Sequence, residues 1–126
     1  MKRRSAVVSP GAARPLLLAA GILFATAAPA QAGNPAVSSF NSCAMLYDTG
    51  KMDAAIAACD QAIALDPGKA DAYFIKASAL FGNATIGGDG KYEVPPGTVE
   101  ALNKYLELAP NGGHAPDVHA MLDALK

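Results

Sequence analysis

The chain has 126 residues, 52% of them apolar, with ten basic and eleven acidic side chains, the profile of one small, nearly neutral domain. The charge is unevenly placed: Lys2, Arg3, Arg4 and Arg14 are the only charges before Asp48, whereas residues 33–126 carry six Lys, no Arg and eleven Asp or Glu, a net charge of −5. That balance argues against nucleic acid and against an anionic membrane surface, both of which need a basic face, and two Cys with no Trp give no sign of a large catalytic core.

Residues 1–32 have the layout of a secretory signal peptide. A basic start (Lys2, Arg3, Arg4) precedes an apolar run from Leu16 to Ala28, and small residues follow, ending Ala30-Gln31-Ala32, with cleavage expected after Ala32. The run is 13 residues long, which as a helix reaches about 20 Å, short of a hydrocarbon core of roughly 30 Å. No Cys stands at the cleavage point to carry a lipid, and Ser5-Ala6-Val7 lacks the bulky apolar pair of a twin-arginine signal. The expectation is export by the general route to the periplasm or outside, with no stable membrane insertion after cleavage.

Residues 33–126 are punctuated by Gly and Pro, and the stretches between read at helical period. Phe40, Cys43, Leu46 and Tyr47 fall on one face of a helix ending near Thr49-Gly50. Ala55, Ile56, Cys59, Ala62 and Ile63 mark a second, with Asp53 near its start and Asp66-Pro67-Gly68 as its stop. A third carries Tyr73, Ala77, Leu80 and Phe81 and ends at Gly82-Asn83. The Gly- and Pro-rich stretch 82–97 follows, and Gly87-Gly88-Asp89-Gly90 there suits the tip of a short hairpin between Thr85-Ile86 and Lys91–Val94. It resembles a calcium loop only loosely, because the later acidic ligands are missing. A fourth helix runs from about Thr98 to Leu108 with Leu102, Tyr105 and Leu106 inward. A last one, from Pro116 or Asp117 onward, presents Val118, Met121, Leu122 and Leu125. The fold class expected is all-α.

The chain also repeats itself. Cys43, Leu46 and Tyr47 fall 34 residues before Ala77, Leu80 and Phe81, whereas Ile56, Cys59, Ile63, Leu65 and Pro67 fall 43 before Val99, Leu102, Leu106, Leu108 and Pro110. A helix pair is therefore repeated, with nine extra residues inside the second copy. The run Met52–Pro67, with small Ala55 and Ala62 and a closing Leu65-Asp66-Pro67, resembles the second helix of a tetratricopeptide repeat. Tyr73 and Ala77 match the aromatic and small positions of the next first helix, and Tyr105–Pro110 is similar to a second repeat ending. The resemblance implies antiparallel helix pairs stacked as an α-solenoid fragment: repeat one about 36–69, repeat two about 70–112 with 82–97 inserted, and a capping helix about 115–126.

Cys43 and Cys59 average to position 51, at the Gly50-Lys51 turn, so on antiparallel helices they face one another. An oxidising destination joins them as a disulfide; a reducing one leaves two buried thiols. Redox catalysis wants two Cys close in sequence near a helix start, which this spacing denies. His114 and His119 are five apart rather than the three or four of a helical metal pair, so neither a metal nor a cofactor is expected. A small hydrolase using these His with an Asp is the least favoured reading.

The resemblance further implies a concave surface for a partner protein or peptide. Mapped residue by residue, it would be lined by Val37, Phe40, Asn41, Ala44 and Tyr47, then by Asp71, Phe74, Ile75, Ser78 and Phe81. With no Arg after Arg14, and with Phe40 and Ala44 at polar positions, the family's clamp for chaperone carboxylates is not expected. An apolar, aromatic groove suits an amphipathic helix or apolar peptide. The same aromatics also suit packing under the insertion or the cap. The function expected is a non-enzymatic interaction module of the bacterial envelope, the alternative a self-associating structural subunit.

Overall fold

The computed structural model describes residues 33–126. The expected signal segment, 1–32, lies outside the described residues. Among them are five helices and one two-stranded sheet, so the fold is all-α. Helix α1 spans Pro35–Asp48, α2 Met52–Leu65, α3 Ala70–Gly82, α4 Thr98–Leu108 and α5 Ala115–Ala124. Strands β1 (Thr85–Ile86) and β2 (Tyr92–Glu93) lie between α3 and α4.

Local chemistry sets these bounds. The Asn34 side chain accepts a hydrogen bond from the Ala36 N–H at 2.9 Å, and Pro35 fills the first turn of α1, where its missing N–H costs nothing. At the other end the Thr49 hydroxyl donates to the Met45 carbonyl at 2.9 Å, and Gly50 takes a left-handed φ of 78°, turning the chain into α2. After α2 the Asp66 carboxylate accepts from the Gly68 N–H, forming the turn that Pro67 imposes. Gly97, at φ 92°, redirects the chain into α4. There the fully buried Thr98 donates its hydroxyl to the Pro95 carbonyl at 2.7 Å.

Consecutive helices pack on one another, and α1 also touches α3. The α2–α3 pair is antiparallel: Asn83 Nδ2 donates to Asp53 Oδ1 near one end, and Lys76 pairs with Asp60 at 2.7 Å further along. The α1–α2 pair buries only small side chains, Cys43, Ala55, Cys59 and Ala62, which lets the backbones approach closely. The large fully buried side chains lie further on. Tyr105, Leu102 and Val118 form a core with Ala77, Ala101 and Ala115, flanked by Tyr73, Phe74, Leu106, Met121, Leu122 and Leu125.

The hairpin forms where expected, though β2 is shorter than Lys91–Val94. Its register pairs Thr85 with Glu93 and Ile86 with Tyr92. Gly90 at φ 83° closes the tip, the Asp89 carboxylate accepting from the Lys91 N–H at 3.1 Å. Pro95 and Pro96, which have no N–H to donate, follow after Val94 and keep the ladder from extending.

Candidate functional site

Cys43 and Cys59 are joined in a disulfide, their Cα atoms 4.9 Å apart, and both residues are fully buried. The bridge closes a separation of 16 residues across the Gly50 turn. A buried bridge offers no thiolate to solvent, so its place is in the fold rather than in redox chemistry.

The surface mapped for a partner draws on α1 and α3, which are in contact. On α1, Val37 is 54% exposed, Asn41 is exposed, and Phe40, Ala44 and Tyr47 are half-buried. On α3, Asp71 is exposed, Phe74, Ile75 and Phe81 are half-buried, and Ser78 is buried. The aromatic members have acquired neighbours. Phe74 stacks on His114, ring centroids 4.0 Å apart and planes within 7°, and its centroid lies 5.8 Å from that of the tilted Tyr105 ring. Phe81 packs at 5.4 Å against Tyr92 of β2. The Lys69 ammonium sits 4.6 Å over the Phe40 ring, a contact worth roughly 0.5–1 kcal/mol at an exposed site. The α3 half thus lies against the cap and the insertion, while the α1 half carries the exposed apolar positions. Met45, 61% exposed, adds to that half although its spacing did not single it out.

Ser78 is the unusual polar residue here, because its buried hydroxyl has no hydrogen-bond partner. Tyr105 shows the opposite. It stands where repeat one has the small Ala62, and its hydroxyl accepts from the His114 N–H at 3.0 Å, tying α4 to the start of α5. Room for that hydroxyl depends on Gly112, where a Cβ would collide with it.

A pocket of about 240 Å³ opens between α3 and α4, lined by Tyr73, Lys76, Gly97, Glu100, Ala101 and Lys104. Both of its cations are engaged. Lys76 pairs with Asp60, and Glu107 accepts a hydrogen bond from Lys104 at 2.9 Å, holding that ammonium above its ordinary pKa. His114 Nδ1 lies 3.9 Å from Asp117. Among the described residues no three His, Cys, Asp or Glu side chains converge as metal ligands, and no helix is long and apolar enough to cross a membrane.

The class defined by fold and bridge is a disulfide-linked all-α protein. Compared with known proteins, the chain matches no family model, no curated protein and no solved structure.

Proposed function

We propose that the chain is an exported, non-enzymatic interaction module built on tetratricopeptide-like helix pairs, and that it holds a partner protein or peptide against the α1–α3 face. The observation that carries this reading is the direct contact of α1 with α3 across the sequence of α2, which sets the first helices of the two pairs beside one another. In a stack of helix pairs those helices line the inner surface, and here they present Val37, Asn41 and Met45 to solvent beside the half-buried Phe40. Export is supported by the residue order of 1–32 and by the buried Cys43–Cys59 bridge, which suits an oxidising compartment.

Photo-crosslinking in the native envelope tests the reading. A photoreactive side chain replacing Asn41 should give a defined adduct that is lost on adding Val37→Asp, whereas the same group replacing the exposed Asn103 of α4 should give none. Equal adducts from both positions overturn the assignment.

A further inference from the structure

The hairpin leaves one edge of β2 unpaired, and both its hydrogen-bonding phase and its charges are self-complementary. The Gly87 N–H donates to the Lys91 carbonyl at 2.8 Å, so the Gly87–Lys91 pair is a hydrogen-bonded site of the ladder. Bonded and non-bonded sites alternate in antiparallel pairing, so the next pair, Ile86–Tyr92, is non-bonded. The Tyr92 N–H and C=O therefore point away from β1, and no turn or loop bond among the described residues takes them up. Lys91, Tyr92 and Glu93 are all exposed, and among the described residues the sheet has two strands. Such an edge is a ready template for another strand.

We propose that β2 pairs antiparallel with β2 of a second copy about a two-fold axis through Tyr92. This centre makes Tyr92 face Tyr92 as a hydrogen-bonded pair, each N–H donating to the other C=O. It also places Lys91 of each copy opposite Glu93 of the other, so two ion pairs flank the axis. A two-fold centred on Lys91 sets lysine against lysine, and one centred on Glu93 sets glutamate against glutamate. In both of those registers the central pair is a non-bonded one, which the ladder allows, but it brings like charges face to face. Charge, rather than hydrogen bonding, therefore selects the Tyr92-centred register among the three.

Ile86, 61% exposed, and Tyr92, 46% exposed, are direct cross-strand partners and share one face of the hairpin. Pairing extends that apolar face from one copy into the other, next to Phe81. An extended peptide without a basic and an acidic residue two positions apart satisfies the edge hydrogen bonds but not the alternation of Lys91 and Glu93, which a second copy of this strand answers in kind. Two-residue strands bury far less than the ~1,200 Å² of a standard interface, so the association is reversible and concentration-dependent. The proposal stands apart from the partner-binding reading and survives its failure.

Sedimentation equilibrium of the oxidised full chain, from about 10 µM to about 1 mM at low salt, tests it. The weight-average mass should climb toward that of a dimer, less so at high salt. Lys91→Glu and Glu93→Lys should each weaken association by about tenfold or more, and the double variant, which re-forms the pairs with signs exchanged, should restore it to within about threefold. The exchange also controls for the hydrogen bond Lys91 Nζ donates to the Lys126 carbonyl, which Lys91→Glu and the double variant both lose and Glu93→Lys keeps. In the unaltered chain the Tyr92 amide should exchange with solvent more slowly as concentration rises, a readout that needs no variant. A mass that stays monomeric, single variants that associate like the parent, a double variant that does not recover, or a Tyr92 amide indifferent to concentration overturns the proposal.

Discussion

Replacing Cys43 and Cys59 together by Ala should loosen the first helix pair selectively. In the chain-entropy account, a bridge spanning 16 residues restrains the unfolded state by about 3 kcal/mol. For a domain of this size that corresponds to a fall in Tm of roughly 12–24 °C. The effect should be local because of what each helix pair buries. Beyond the two Cys, α1 and α2 bury only Ala55 and Ala62, whereas the α3–α5 core has Leu102, Tyr105 and Val118. Hydrophobic stabilisation follows buried apolar area, so α1, whose larger side chains Phe40, Leu46 and Tyr47 are only half-buried, relies on the bridge more than the later helices do. Amide hydrogen exchange should show protection falling across residues 35–48 well before residues 98–108. Thermal melting followed by helical circular dichroism, with and without a thiol reductant, gives the total. A fall in Tm below about 4 °C, the equivalent of about 1 kcal/mol, refutes the reasoning. So does an equal loss of protection across all five helices.

Other expectations concern single side chains. Gly112→Ala should destabilise by about 1–3 kcal/mol, because the new methyl meets the Tyr105 hydroxyl, and Tyr105→Phe in that background should recover part of the loss in a denaturant titration. Tyr105→Phe alone should cost about 0.5–1.5 kcal/mol by orphaning the His114 N–H, as read from the urea midpoint. Ser78→Ala removes a buried hydroxyl without a partner and should leave stability unchanged or raise it; a loss above about 1 kcal/mol in the same titration contradicts the orphan assignment. The Asp123 carboxyl, held below its ordinary pKa by the hydrogen bond from Lys126, should titrate below 3.8 by NMR and move up toward that value in Lys126→Ala. Because its folded pKa is depressed, its contribution is complete above the unfolded value and fades as pH falls through the folded one. At an exposed pair that contribution is small.

Much of the backbone was legible because its determinants are local. Gly50, Asp66-Pro67-Gly68 and Gly97 act on their own φ, ψ and caps, so helix ends follow from residues a few positions away. The cysteine pair was legible for a related reason: a tight turn fixes which residues of two antiparallel helices lie opposite. The surroundings of the aromatic side chains were not. Phe74 and Phe81 fall on one helical stripe whether that stripe stays open or is covered, and only the path of later segments brings His114 onto one ring and Tyr92 against the other. The Tyr105–Gly112 fit is similar. Its sequence trace was a large residue at a small position, and the space that accepts it comes from a glycine on the next loop. Met45 passed unremarked because an exposed methionine breaks no periodic pattern.

The gradient in side-chain size along the chain bears on the order of events during synthesis. Of the described residues, growth from the N-terminus delivers first the hairpin of alanines and cysteines, which buries the smallest side chains. That hairpin is held closed only where an oxidant can join its two sulfurs, so its stability is tied to the compartment it reaches. The later helices, with Leu102, Tyr105 and Val118, hold themselves by apolar area, while the earliest to emerge depend most on a covalent link.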